Sequence, residues 1–242
     1  MSTESRLPSG FYHTEFGQNV ARVINARLRR FWPDLRGQSL LCVGYCAPFL
    51  VFPEPYVSVS ACFPECLAPG DGAGAGGCIA DAQSLPFQDL SFDRIILIHA
   101  LETAASPDRL LRNAWQLLRD DGRLLIAVPA RRGAWAWSDT TPFGRGRSYS
   151  GRQLTELLTR GLFHPERREK ALTLPPFPPL YRGRAAGFVE RFSLPRAGGL
   201  LVAEAVKDMW SGLPAVPAGS RLKEAARHVR RRKRPDPVLR RD

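Results

Sequence analysis

The chain has 242 residues, of which 44% are hydrophobic and 24% are charged, and its net charge is +12. These values fit one globular α/β domain followed by a tail. The sequence contains no apolar run long enough to span a bilayer, and its first residues lack the apolar core of a secretory signal, so we expect a cytoplasmic protein without a transmembrane segment.

The first half of the chain contains one helix signal and two strand signals. Apolar residues in GQNVARVINARLRRF recur at helical spacing, which predicts a helix over about 16–31, and Pro33 ends it. SLLCVG (39–44) is a short apolar strand, and YVSVSACF (56–63) is a second, alternating one. The glycine-rich stretch LAPGDGAGAGGC (67–78) reads as a connector, because no helix follows it and it holds no lysine.

Strand and helix signals continue to alternate in the second half. An apolar strand runs through SFDRIILIHALE (91–102), and the helix after it has Ser106 as its cap and Pro107 in its first turn. The later predicted elements are a turn and strand at 120–129, a helix in GRQLTELLTRGLF, a strand near 167–174, a helix at about 181–192 and a last strand at 198–206. Continuous apolar strands separated by helices predict a doubly wound, mostly parallel sheet covered on both faces.

The five cysteines all lie in the first third of the chain. Their odd number argues against a disulfide framework. The spacing Cys42-x3-Cys46, repeated in Cys62-x3-Cys66, differs from the two-residue spacing of structural zinc knuckles. Because cysteine is also a common small core residue, we expect no metal site.

The last residues form a strongly basic segment. We divide the chain into a domain at 1–207 and a tail at 208–242. The tail holds ten Lys and Arg against four acids, and thus half of the total net charge. Such a block favours either a solvated, disordered end or a weak contact with nucleic acid or anionic lipid headgroups.

LLCVGYCAPFL (40–50) has the outline of a nucleotide-binding loop with most glycines replaced. Gly44 is present, Cys46 and Pro48 stand where later glycines are usual, and Cys42 stands where an acid is usual. The stretch is a variant cofactor loop, a decayed one, or a strand followed by a turn.

The stretch CIADAQSLPFQDLSFDRIILIHALE (78–102) resembles the pattern D-A-x-x-L-P-F-x-D-x-S-F-D of class I S-adenosylmethionine-dependent methyltransferases. The match runs from Asp81 to Asp93, and the wider resemblance covers about residues 11–206. GYCAPFL, RRGAWAW and TPFGRGRSYS resemble a bacterial subgroup of the type 11 methyltransferases. The resemblance implies a Rossmann-like sheet of seven strands with a final antiparallel strand, and S-adenosylmethionine as cofactor.

The resemblance also implies residue roles. The methionyl end of the cofactor would be lined by Gly44, Tyr45, Cys46, Ala47 and Pro48. Asp81 would accept a hydrogen bond from the adenine amino group, with Ala82 and Gln83 beside the ring. His99 would face the cofactor and substrate crevice at the end of its strand and is the candidate catalytic residue.

Each of these residues has a simpler alternative. Asp81 is also suited to capping a turn, His99 to a satisfied place in the core, and Cys46 to packing. The sequence also departs from the family, because no acid ends the second strand and only Glu65 lies near it.

PARRGAWAWSDTTPFGRGRSYS (129–150) follows a strand of the predicted sheet and is rich in arginine and aromatic residues. Its candidate substrate residues are Arg131, Arg132, Trp135, Trp137, Arg145, Arg147 and Tyr149. They favour either a lid that contacts a planar or anionic substrate, or a loop packed on the sheet edge.

The predicted function is S-adenosylmethionine-dependent methyl transfer to an unknown acceptor. Two alternatives remain open: a scaffold or regulator on the same fold without turnover, and a nucleic-acid-associated protein that uses its basic tail.

Overall fold

The structure is a computed structural model that describes residues 7–49, 56–72, 76–182 and 198–208. Most of the helix predicted at 181–192 and nearly all of the basic tail lie outside these residues, so the division at 207 stays a prediction. None of the described helices combines the length and hydropathy that crossing a membrane requires.

Two helices precede the sheet. The short helix α1 spans Pro8–His13, and α2 spans Glu15–Phe31, close to the predicted bounds. The side chain of Thr14 accepts a hydrogen bond from the backbone N–H of Gly17 and so caps the start of α2. Sequence analysis did not predict α1, because six residues are too few to show a helical period.

Seven strands form one sheet in the order β3-β2-β1-β4-β5-β7-β6. Their bounds are Ser39–Gly44 (β1), Val57–Cys62 (β2), Gly77–Ile79 (β3), Phe92–Ile98 (β4), Leu118–Pro129 (β5), Phe163–Ala171 (β6) and Leu200–Lys207 (β7). β7 runs antiparallel to both β5 and β6, whereas the pairs from β3 to β5 are parallel. The predicted seven-stranded, mostly parallel sheet with a final antiparallel strand is confirmed.

The other two helices follow the capping signals of the sequence. Helix α3 spans Pro107–Leu117, and the side chain of Ser106 accepts a hydrogen bond from the backbone of Arg109, as predicted. Helix α4 spans Gly151–Arg160 and begins with a capping box between Ser150 and Gln153. Each buries one leucine-rich face.

Three details of the sheet differ from the prediction. β6 begins at Phe163, earlier than predicted, because an edge strand pairs on one side only and tolerates polar residues that give no apolar run. β3 is only three residues long and lies at the end of the glycine-rich connector. The turn predicted at 120–122 is an irregularity within β5, where the pairing with β4 jumps from Phe92–Leu118 to Arg94–Arg123.

Candidate active site

The turn after β1 is fixed by its contact with β4. Gly44 has φ +94°, and a Cβ atom placed there would lie 2.1 Å from the backbone oxygen of Ile98. The next residue, Tyr45, donates its backbone N–H to that same oxygen at 2.9 Å. Only glycine fits this position, so the retained glycine has a structural reason that is independent of any ligand.

A cavity of about 220 Å³, the first cavity, opens beside this turn. Its walls come from α1, from the turn after β1, from β2 and from the glycine-rich connector. The lining residues are Ser9, His13, Gly44, Tyr45, Cys46, Ala47, Ser60, Cys62, Asp71 and Gly72. Four of the five residues predicted at the methionyl end therefore meet in one place, whereas Pro48 does not line this cavity and its carbonyl accepts a hydrogen bond from Asn25.

Asp71 is a residue of the first cavity that sequence analysis missed. One of its carboxylate oxygens, Oδ2, is buried and has no hydrogen-bond partner among the described residues. Burial raises the pKa of the facing Tyr45 to about 12, and the carboxylate of Asp71 adds to the rise. Its only sequence signal was a lone acid between two glycines, in a stretch that reads as a connector.

A second cavity, of about 460 Å³, lies at the ends of β2, β3 and β4. It is lined by Phe63, Pro64, Glu65, Ile79, Ala80, Asp81, Ala82, Gln83, Thr103, Ala104 and Ala105. The three residues predicted beside the adenine ring are among them, and so is Glu65. At the end of β2 itself stand Ala61 and Cys62, both buried, so the strand supplies no acid.

Asp81 serves a structural role as well as facing the second cavity. Its Oδ1 accepts a hydrogen bond from the backbone N–H of Gln83 at 2.8 Å, which is the turn cap given above as the simpler alternative. The Gln83 side chain is bound in turn by Arg109 of α3 at 2.6 Å. The segment 81–83 is thus fixed against α3 without any ligand.

His99 lies directly after β4 at φ +55°, and its ring is only 2% exposed. Its Nε2 is 2.9 Å from the Tyr12 hydroxyl, and its Nδ1 is 3.1 Å from Oε1 of Glu102. The ring lines neither cavity, so the prediction that it faces the crevice does not match this geometry, which is that of a satisfied core histidine. Its catalytic role stays a prediction.

The hydrogen bonds of His99 can be assigned a direction. Burial first, and then the charge of Glu102, raises the pKa of Tyr12 well above its ordinary value, so the phenol keeps its proton. In the neutral ring tautomer that leaves Nε2 without a proton, the Tyr12 hydroxyl donates a hydrogen bond to Nε2. Nδ1 then carries the other proton and donates to Glu102. The second carboxylate oxygen of Glu102 is buried without a partner among the described residues.

Aromatic rings close the space around His99. The aromatic cluster consists of Phe11, Tyr12, Phe16, Trp135, Phe143 and Tyr181. Phe143 lies 5.1 Å from the His99 ring and 5.2 Å from Trp135, measured between ring centroids. This packing keeps the imidazole away from solvent.

The predicted substrate loop divides into three groups. Trp135 is buried in the aromatic cluster and donates its indole N–H to the backbone of Leu174 at 2.7 Å, so it packs and does not face a cavity. Trp137 is 81% exposed, and Arg132 and Arg145 are also exposed. Arg131 and Arg147 are exposed as well, but together with the buried Tyr149 they line a third cavity.

The cysteines are free thiols, most of them packed in the core. All five are free, and all but Cys78 are buried. Burial raises the pKa of Cys62 to about 12 and raises that of Cys46 well above its ordinary value, so neither is a reactive thiolate at neutral pH. The packing alternative for Cys46 agrees with this burial. Among the described residues, no cluster of three or more His, Cys, Asp or Glu side chains could hold a metal ion.

Comparison with known proteins shows which part of the chain matches a known family and which solved structures have a similar fold. Residues 68–126 match the family model of a methyltransferase domain. The fold is similar to that of an S-adenosylmethionine-dependent methyltransferase of Thermotoga maritima, at 15% identity and a TM-score of 0.55 over 83% of this chain and 96% of that chain. A methyltransferase of Archaeoglobus fulgidus gives 17% identity and a TM-score of 0.54 over 77% and 94%. No protein of curated function matches the sequence.

A further structural relative is the (4+2)-cyclase SpnF, at 20% identity and a TM-score of 0.54 over 78% of this chain and 80% of that chain. The fold alone therefore does not fix the reaction. The segment that matches the family model contains the D-A-x-x-L-P-F stretch, which is a second line of support beside the fold. Together the matched segment and the fold support the predicted class I S-adenosylmethionine-dependent methyltransferase with an unspecified acceptor.

Proposed function

We propose that the first and second cavities together hold S-adenosylmethionine, with its amino-acid end in the first and its adenine end in the second. The observation that carries this proposal is the placement of the two predicted residue sets. Gly44 to Ala47 line one cavity and Asp81 to Gln83 line the other. The two linings include neighbouring residues at the end of β2, since Cys62 lines the first cavity and Phe63 the second.

The unpaired carboxylate of Asp71 supports the fit. Both positions at which related proteins carry an acid lack one here, at Cys42 and at the end of β2. Asp71 is the one acid among the described residues that line the first cavity, and its buried Oδ2 has no partner among the described residues. Because an unsatisfied buried carboxylate oxygen is costly, a ligand that donates to it is favoured. An ammonium group or ribose hydroxyls meet that need.

The chain's own residues then orient and shield the reacting groups. When bound, S-adenosylmethionine supplies a methyl group that its sulfonium has already activated, so proximity and exclusion of water carry most of the catalysis. The turn at Gly44 and the carboxylate of Asp71 would orient the amino-acid end. The aromatic cluster would keep water out on the side of His99.

His99 enters this scheme as a positioning residue. Nδ1 donates a hydrogen bond to Glu102 in this arrangement, and Nε2 accepts the hydrogen bond from Tyr12. His99 would therefore act through the phenol of Tyr12, and a base is needed only if the acceptor must lose a proton.

The test is calorimetric titration of the full chain with S-adenosylmethionine and S-adenosylhomocysteine. We expect micromolar binding that Asp71→Asn and Asp81→Asn each weaken at least tenfold, about 1.4 kcal/mol. Asp89→Asn is the matched control, since Asp89 is an exposed acid of the same motif and lines neither cavity. Absence of binding by the unaltered chain would contradict the proposal.

A second candidate function is that of a scaffold without turnover. The aromatic cluster favours it, because access to His99 is closed by Tyr12 and Phe143. Release of S-adenosylhomocysteine in the presence of any small acceptor would exclude this candidate. Tight cofactor binding with no release across a broad acceptor panel would support it.

We also propose a cytoplasmic location and a weak anionic partner for the basic tail. Five free cysteines favour a reducing compartment.

For the tail, binding of short RNA or anionic vesicles should weaken steeply with salt and be lost when residues 219–242 are deleted. Binding that survives the deletion would remove the tail from this role.

A further inference from the structure

The third cavity, of about 550 Å³, lies between the segment after β5, the first turn of α3 and one face of α4. It shares no lining residue with the first two cavities. One face of α4 contributes Gln153, Glu156, Leu157 and Arg160, and α3 contributes Pro107 and Asp108. The opposite wall consists of Arg131 and the residues 146–149.

The charges on this lining are unequally paired. Asp108 binds Arg160 at 3.1 Å, and Glu156 binds Arg152 at 2.7 Å, so both acids of the lining have cationic partners. Arg131 and Arg147, which are exposed, form no ion pair with a carboxylate among the described residues. Two arginines of the lining therefore carry a charge that no acid of the described residues offsets.

The backbone holds both of these arginines in place. Arg131 donates its N–H to the carbonyl of Tyr149 at 3.0 Å, and Arg147 donates its N–H to the carbonyl of Glu102 at 3.0 Å. Gly146, at φ +74°, lies so close to Glu102 that a Cβ atom would be 2.4 Å from its carbonyl oxygen. The Tyr149 hydroxyl donates to the carbonyl of Leu101 at 3.1 Å. The wall that carries the arginines is thus preformed.

One helix end adds to the positive potential. Pro107, the first residue of α3, lines the cavity, and α3 is long enough for its aligned peptide dipoles to favour an anion there. Guanidinium groups bind carboxylate and phosphate oxygens in pairs, with charge-assisted hydrogen bonds.

We propose that the third cavity is a binding site for a small anionic ligand, which Arg131 and Arg147 hold by its carboxylate or phosphate group. The proposal does not depend on cofactor binding in the other two cavities. The proposal assigns binding to Arg131 and Arg147 and none to Arg132 and Arg145, which have the same charge and belong to the same loop but lie outside the cavity.

The experiment titrates the full chain with inorganic phosphate and, separately, with citrate, at constant ionic strength. We expect saturable millimolar binding of at least one probe, weakened at least tenfold in the double variant Arg131→Gln with Arg147→Gln. The matched control, Arg132→Gln with Arg145→Gln, removes the same charge from the same loop and should change the affinity less than twofold.

The outcomes separate the ligand classes and the competing explanation. Tighter binding of phosphate points to a phosphorylated ligand, and tighter binding of citrate to a carboxylate. Equal weakening in both double variants means diffuse charge attraction and overturns the proposal, as does the absence of saturable binding for both probes. Titration of the same variants with S-adenosylmethionine should be unchanged, so this test and that of the proposed function fail independently.

Discussion

The ends of β1, β2 and β3 border two open cavities, the second of which also reaches residues 103–105 after β4, whereas the aromatic cluster covers the place of His99 directly after β4. The open side is lined by small residues such as Gly44, Ala47 and Ser60, and by an acid with an unpaired oxygen. On the closed side, rings and a buried hydrogen-bonded histidine fill the space.

This difference shows how one edge of a sheet can hold preformed cavities in one part and be closed by packed rings in another. Small side chains leave volume that a ligand can occupy, while interlocking rings leave none, because protein interiors pack to crystal-like density. A group that approaches Nε2 of His99 must displace Tyr12, whose hydroxyl lies 2.9 Å from it. The open side therefore has space without any movement of a ring, and the side of His99 does not.

The largest expected effect is on the closed side. Trp135→Ala removes a fully buried ring from the aromatic cluster and should lower the free energy of unfolding by about 3–5 kcal/mol. Trp137→Ala, two residues away in the same loop but 81% exposed, should change it by less than about 0.5 kcal/mol. Denaturant unfolding measures both, and equal losses would show that Trp135 is not a core residue.

The next effect is on the open side, at Gly44. Gly44→Ala combines a positive φ with a contact of 2.1 Å to the backbone of Ile98 and should cost about 2–4 kcal/mol. Gly70→Ala is the matched control, because Gly70 has φ +88° but nothing within 4 Å of the added Cβ. Its cost should be about 1 kcal/mol, from backbone strain alone. Equal costs would mean that the contact with β4 is easily relaxed.

The smallest effect is expected where the two sides meet. Tyr12→Phe removes the hydroxyl from Nε2 of His99 and should cost about 1–3 kcal/mol, because a buried nitrogen loses its partner. Tyr45→Phe, in the ring stacked on Tyr12, should cost less than about 0.5 kcal/mol. Imidazole nitrogen NMR of His99 should shift in the first variant only. An unchanged His99 signal in Tyr12→Phe would show that Tyr12 and Nε2 of His99 do not form this hydrogen bond.

Much of the fold could be predicted from local patterns. β1 was predicted with its observed bounds because a fully buried strand is a continuous apolar run, and α3 because Ser106 and Pro107 mark a helix start. β6 was displaced, because an edge strand carries polar residues and its signal is weak. β3 was not separated from the connector, because three residues give no period.

The candidate site was predicted less completely. The motif residues Asp81, Ala82 and Gln83 line one cavity, since residues adjacent in sequence stay adjacent in space, and their role beside the adenine ring stays a prediction. Asp71 was not predicted as a site residue, because its place in the lining of the first cavity depends on where the glycine-rich connector lies in the fold. His99 was predicted to face a crevice, but its surroundings are set by Tyr12, 87 residues earlier in the chain.

The sequence by itself determined the alternation of strands and helices, the glycine turn after β1 and the class of fold, because these depend on neighbouring residues. The tertiary structure alone decided which members of one loop are buried, exposed or turned to a cavity. Trp135 packs while Trp137 is exposed, and Arg131 lines a cavity while Arg132 does not. The physical reason is that these side chains have the same chemistry and differ only in the distant segments against which the folded chain places them.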